Sequence, residues 1–162
     1  MRRAVAADAP ALARGMAEVA DEGPWLATPA GTPWSSLVPR FAASIEAGHA
    51  LFVLVHHGRL AGSLGLHPTH AEGVLDLGMW VLAHARGRGG GRRLVEVALD
   101  HARAAGAHKV QLEVYPENER AIALYEATGF EVEGVRRDHY RRPDGALRSA
   151  VIMAVALRPA HA

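Results

Sequence analysis

The sequence predicts an α/β fold, a mixed central sheet with helices packed on both faces. Short apolar runs of strand length recur along the chain, bounded by turn residues, and alternate with segments whose apolar residues repeat at helical spacing. The resulting order, β-α-α-β-β-β-α-β-α-β-β, suits a sheet covered by helices rather than a bundle or a sandwich. Of 162 residues, 49% are hydrophobic and 22% charged, enough apolar surface to fill a core and too ordinary a balance for disorder.

Arg3 to Ala7 is a short strand candidate. Asp8 offers an N-cap and Pro10 a first-turn residue for a helix to about Ala20,. Asp21 to Pro33 is rich in turn residues, with Trp25 inside it and Trp34 just beyond. A second helix runs from Ser35 to Ala47 and stops at Gly48,. Leu51–Val55 and Leu60–Leu66 form strands joined through His57-Gly58, and Val74–Leu82 is a third,. After a glycine-rich turn, Gly91–Ala105 is a helix with Leu94, Val97, Ala98 and Ala102 on one face, ended by Gly106,. Strand Val110–Tyr115, helix Glu119–Ala127, and strands Phe130–Val135 and Ala150–Leu157 complete the order. No repeat and no long linker divides the chain, so residues 1–162 read as a single domain,.

Eighteen Lys and Arg against seventeen Asp and Glu give a formal charge of +1, without the basic excess of a nucleic-acid binder,. The chain has no cysteine, which removes disulfides, zinc-thiolate sites, iron–sulfur clusters and thiol nucleophiles,. The longest purely apolar run, Ala50 to Val55, is far short of the ~20 residues of a membrane span,. Asp8, Pro10 and Arg14 break the start of the chain as a signal peptide, so a cytoplasmic location is expected,. His67 and His70 flank Pro68-Thr69 without a third ligand nearby in sequence, and no metal site is expected,.

The informative segment runs from Val81 to Leu94, where a strand enters the turn Arg86-Gly87-Arg88-Gly89-Gly90-Gly91 and opens directly into an amphipathic helix. Free backbone N–H groups at such a helix start, aligned with the helix dipole, make a site for phosphate or pyrophosphate. A Walker A loop would end in Gly-Lys-Ser/Thr, and arginine stands there instead,. A dinucleotide fingerprint would need glycine where Arg92 stands,. An Arg-Gly-Gly RNA-binding tract would lie in a low-complexity segment, not between a hydrophobic strand and helix.

Arg86-x-x-Gly89-x-Gly91 resembles the acyl-CoA-binding signature of the GNAT superfamily of N-acetyltransferases. Asn118-x-x-Ala121-x-x-x-Tyr125-x-x-x-Gly129-Phe130 resembles its second signature at the usual distance downstream, and the element order matches across nearly the whole chain. The resemblance implies a GNAT-like sheet in which two parallel strands, Val74–Leu82 and Val110–Tyr115, splay apart. Acetyl-CoA would be the co-substrate, its pantetheine arm in the gap on main-chain groups of Val81 and Ala83,. A bulge near Trp80 or Val81 would cause the splay,. Gly87 and the N–H groups of Arg88, Gly89, Gly90, Gly91 and Arg92 would hold the pyrophosphate, with Arg86 part of the signature and Arg93 adding charge,.

The resemblance also implies direct attack of a neutral amine on the thioester, without a protein nucleophile. It makes Tyr125 the general acid to the departing thiolate, the Leu82 N–H the oxyanion donor, and Asn118 a cofactor contact or a helix cap,. Asp76, ten residues before Arg86, is the expected base. The loop Asp21–Pro33 and the connection Arg136–Arg148 would select the acceptor. In this expectation Asp21 or Glu22 receives the ammonium beside Trp25 and Leu26, and the pairs Arg136-Arg137 and Arg141-Arg142 receive a carboxylate, favouring a free amino acid or close analogue,. The alternatives are acetylation of a protein N-terminus, such as a ribosomal protein's, and a non-catalytic CoA-binding module. Members of the family often dimerise, although no feature here demands a homodimer.

Overall fold

A computed structural model describes residues 1–23 and 25–157. One seven-stranded sheet takes the order β1-β2-β3-β4-β5-β7-β6. Its strands are β1 (Arg2–Arg3), β2 (Ala50–His56), β3 (Arg59–Pro68), β4 (Val74–Val81), β5 (Lys109–Val114), β6 (Glu131–Arg141) and β7 (Leu147–Ala156). Among the described residues only β4 and β5 pair in parallel; the other neighbouring pairs are antiparallel, which makes the sheet mixed as expected.

The helices are α1 (Ala9–Asp21), α2 (Trp34–Glu46), α3 (Gly90–Ala104) and α4 (Glu119–Glu126). Strand alternation sends Leu64, Leu66, Leu112 and Val114 to one face, where they pack with Leu94, Val95 and Ala98 of α3 and Tyr125 of α4,. Leu51, Val53, Trp80 and Leu82 go to the other face, against Leu12 and Ala13 of α1 and Leu37 and Phe41 of α2. Gly15 lets α1 settle here: a Cβ on it would lie 2.1 Å from Cη2 of the buried Trp80.

The first strand is shorter than the sequence predicts. Asp8 Oδ2 accepts the Val5 N–H at 2.8 Å and its carboxylate pairs with Arg2, so the chain leaves the sheet after a last bond from the Ala4 N–H to the Leu51 carbonyl and turns through a short 3-10 helix, Ala6–Asp8. The last hairpin is longer. β6 runs on to Arg141, and the turn is closed by the Arg142 N–H on the Ala146 carbonyl at 2.8 Å. The expected connection Arg136–Arg148 is therefore largely strand. Its polar residues belong to an exposed edge, with Asp138 at φ 50 where the register shifts between Arg136 and Tyr140,.

Candidate active site

Pairing between β4 and β5 covers Val74, Leu75 and Asp76 opposite Lys109, Val110 and Gln111, and then stops. Beyond that point the strands part, and the expected splay is present. Its cause is not the expected bulge, because β3 and β4 keep an unbroken register from Pro68↔Leu75 to Gly62↔Val81. β4 is held on β3, and β5 is held on β7 from Lys109↔Ala156 to Val114↔Val151. With each strand fixed to its outer partner, the twist of the two half-sheets opens the gap between them.

A cavity of about 680 Å³ occupies this gap and reaches both faces of the sheet. On the α3–α4 face it is lined by Gly87, Gly89, Gly91, Arg92, Asn118 and Tyr125, all anticipated from the sequence. Gly89 caps α3 with φ 77, the left-handed region, and a Cβ on it would meet nothing within 4 Å,. Open space beside the first-turn N–H groups of a fifteen-residue helix suits an approaching pyrophosphate,. The residues present thus fit the phosphate end of CoA. Asn118 caps α4, its Oδ1 accepting the Ala121 N–H at 3.2 Å, and it also lines the cavity,. Arg92 lines the cavity while its Nε donates to Glu96.

Several expected roles fall to other groups. The Leu82 N–H is already bonded to the Ala61 carbonyl at 2.8 Å, so it faces β3 and cannot donate to an oxyanion. Alternation along β4 turns the main-chain groups of Met79 and Val81 to the edge that β5 has left, and both residues line the cavity,. The Val81 carbonyl accepts from Arg86 Nε at 2.8 Å. Ala83 lies outside the cavity lining, in the 3-10 turn Ala83–Ala85, its carbonyl taken by the Arg86 N–H. Met79, missed in the sequence, joins Val81 in turning main-chain groups to the open edge of β4. Arg88 and Gly90 lie outside the lining: the Arg88 side chain is exposed, and a Cβ on Gly90 would lie 2.6 Å from Leu54 Cδ2, while the contribution expected of both is through main-chain N–H groups.

Arg86 lines the cavity, but its guanidinium is held by other groups of the protein. Besides Val81, its guanidinium holds Glu22 through two bonds of 2.6 and 2.9 Å. This clamp ties the acceptor loop to the end of β4 and removes Glu22 as a free site for a cationic substrate. Asp76 is exposed at the paired end of the two strands, accepts from Gln111 Nε2 at 2.7 Å, and does not line the cavity. A carboxylate that the strand alternation turns to the α1–α2 face is Glu113 of β5. It lines the cavity, accepts from the Tyr140 hydroxyl at 2.5 Å and pairs with Arg136 at 3.2 Å. No local pattern marks Glu113 in the sequence. Its assignment needs the strand's face, which Leu112 and Val114 set by filling the opposite core.

Tyr125 lies buried at the cavity wall, its ring against Phe130, and burial raises its pKa to about 12. The hydroxyl is therefore a neutral donor across the physiological range. Burial, then the bond to Glu113, likewise raises Tyr140 to about 12. On the α1–α2 face the chamber is walled by Met16, Trp25, Leu26 and Phe41, with Arg40, Ser44 and His67 among them. Arg142 Nη1 donates to the carbonyls of Leu26 and Ala27 at 3.1 and 3.3 Å, fastening the loop to the β6–β7 hairpin as a roof. The expected carboxylate receptors are thus engaged at Arg136 and Arg142, while Arg137 and Arg141 are exposed.

A sheet split at one parallel pair, with a glycine-capped helix start on one side and a tyrosine and a carboxylate beside the split, defines a class of acyl-transfer fold. The profile of the acetyltransferase (GNAT) family matches residues 19–130. The chain belongs to this family and is an acetyl-CoA-dependent N-acetyltransferase. It is 33% identical over 141 residues to YjgM, an uncharacterised N-acetyltransferase of Escherichia coli K12, covering 81% of each chain. It is 32% identical over 125 residues to the ribosomal protein bS18-alanine N-acetyltransferase of the same strain, covering 77% of this chain and 82% of that one. Its fold superposes with a TM-score of 0.83 on a phosphinothricin acetyltransferase of Sinorhizobium meliloti solved with acetyl-CoA, at 21% identity over 96% of this chain and 86% of the other.

Proposed function

We propose that this chain acts as one transferase domain that moves the acetyl group of acetyl-CoA to the primary amine of a small molecule in the cytoplasm. The observation that supports this most is the cavity through the β4–β5 gap, which joins the glycine turn on one face to a roofed, carboxylate-bearing chamber on the other. Acetyl-CoA supplies an acyl group already activated as a thioester. The chain's own groups supply the rest. Main-chain N–H groups at the α3 start hold the pyrophosphate, and the Met79 and Val81 edge of β4 takes the pantetheine as an added strand would.

Glu113 attracts the acceptor ammonium and takes its proton, directly or through water. An α-amine, with a reference pKa of about 7.7–8.0, needs little help, whereas a lysine-like amine near ~10.4 needs more. The Met79 N–H is the donor left for the oxyanion. Tyr125 hydrogen-bonds the departing sulfur. From a pKa of about 12 to a thiolate near ~8.5, full proton transfer is uphill by about 5 kcal/mol,, so a hydrogen bond that strengthens as charge develops is its contribution.

Acetylation of a protein N-terminus is the second reading, favoured by the likeness to the bS18-alanine enzyme. The roof that Arg142 pins over the chamber favours the small acceptor. A panel of free amino acids, spermidine and a hexapeptide beginning with alanine, each with acetyl-CoA and read by thiol release, separates the two. The enzyme has no cysteine, so CoA is the only thiol it can present. Fastest turnover of free amino acids is expected, and a tenfold advantage of the peptide in kcat/KM would install the second reading.

A further inference from the structure

The acceptor chamber carries opposite charge on its two sides. Glu113 stands on β5, beside Tyr140. Across β4, Arg40 of α2 and His67 of β3 line the same space. Arg40 is exposed and makes no ion pair among the described residues. It lies close enough to His67 to depress the protonation of that ring, together with burial and His49 and against Asp76. His67 is oriented by two contacts. Its Nδ1 meets His49 Nδ1 at 3.3 Å, and His49 Nδ1 in turn meets Ser44 Oγ at 3.3 Å. Its Nε2 lies over Gly65, within 2.9 Å of where a Cβ would stand, so the missing side chain is what admits the ring to the chamber floor.

A guanidinium free of carboxylate partners among the described residues and a neutral imidazole, set in a chamber whose apolar lining includes Met16, Trp25, Leu26 and Phe41, form a receptor for an oxyanion,. A spermidine-like acceptor would meet Arg40 by repulsion, and a peptide N-terminus brings no carboxylate beside its amine. We propose that Arg40 and His67 are the subsite for the acceptor's anionic end, which makes the acceptor an amine bearing a nearby carboxylate or similar oxyanion, with an apolar side chain. This rests on the acetyltransferase reading above and adds the half of the acceptor that Glu113 does not address.

The test measures kcat/KM with acetyl-CoA for L-leucine, its primary amide and its aminophosphonate analogue, in the wild type and in Arg40→Gln, Arg40→Lys and His67→Gln. Arg40 projects from an exposed position on α2, and a thermal melt of each variant checks that the fold is kept. The wild type is expected to prefer acid over amide by about 10- to 100-fold, the worth of a charged hydrogen-bonded pair. Arg40→Gln brings that ratio to within about threefold of one, mainly through KM, and Arg40→Lys restores part of it. His67→Gln lowers it less. The phosphonate arm tells a requirement for a planar carboxylate from one for any oxyanion, and either preference over the amide supports the subsite. A wild-type ratio near one, or an Arg40→Gln variant that slows acid and amide alike, overturns the subsite while thiol release from the amide leaves the transferase reading intact. Thiol release from spermidine or the peptide alone also overturns the subsite, and no release from any amine would overturn the transferase reading itself.

Discussion

Burial lifts Tyr125 to a pKa of about 12, so its hydroxyl donates throughout the neutral range and its removal should be felt at the leaving group alone. Tyr125→Phe is expected to lower kcat with the best acceptor by about 10²- to 10⁴-fold, the usual range for such groups, with CoA affinity nearly unchanged. A loss under threefold in a chemistry-limited assay would reduce Tyr125 to a packing residue against Phe130. At the other end of the cavity, Gly89→Asp imposes a side chain on φ 77 and sets a carboxylate where the pyrophosphate belongs,. CoA should then no longer raise the melting temperature, while the melt itself stays cooperative. The glycines and Tyr125 were legible because signature spacing records local turns and helix faces. Met79 was not, because the direction of its N–H depends on hydrogen bonds that β4 makes with β3. Asp76 was misplaced for a related reason: distance along the chain to Arg86 says nothing about where β4 and β5 stop pairing.

At the scale of elements, apolar patterning located each α-helix and each strand of the described residues but read the ends poorly where polarity and strand coexist. β6 carries Arg136, Arg137 and Asp138 on the sheet edge beyond the predicted strand, and such a run looks like a loop until its ladder to β7 is seen. The α1–sheet contact is more exacting than its alanine-rich sequence suggests. Gly15→Ala should gain up to about 1 kcal/mol of helix propensity yet force α1 off Trp80, because the added Cβ would stand 2.1 Å from an indole that is only 4% exposed. Overpacking typically costs about 1–3 kcal/mol, so a net fall in melting temperature is expected. An unchanged or raised value would mean that Trp80 moves freely, against its burial.

Across the whole molecule, stability should fall in mild acid. Burial holds the imidazoles of His67 and His101 below their ordinary pKa, with His49 and Arg40 adding to the effect at His67 and Arg3 at His101. The unfolded chain therefore takes up protons near pH 6.5 that the folded chain declines, and stability is lost as pH drops through that value toward the folded-state pKa values. Melting temperature should be lower at pH 5.5 than at pH 7.5, and His67→Gln should flatten part of the slope. A higher value in acid would contradict the assignment. The clamp between Arg86 and Glu22 works at this scale too. One jaw belongs to the strand edge proposed to receive the pantetheine, the other to the loop proposed to roof the acceptor, and Arg142 fixes that loop again from the far hairpin. Two ligands that meet the same hinge pin cannot bind as strangers: by reciprocity, whatever acetyl-CoA does to acceptor affinity through it, the acceptor does equally to acetyl-CoA. Cutting the pin with Glu22→Gln should make the two affinities independent before it abolishes either.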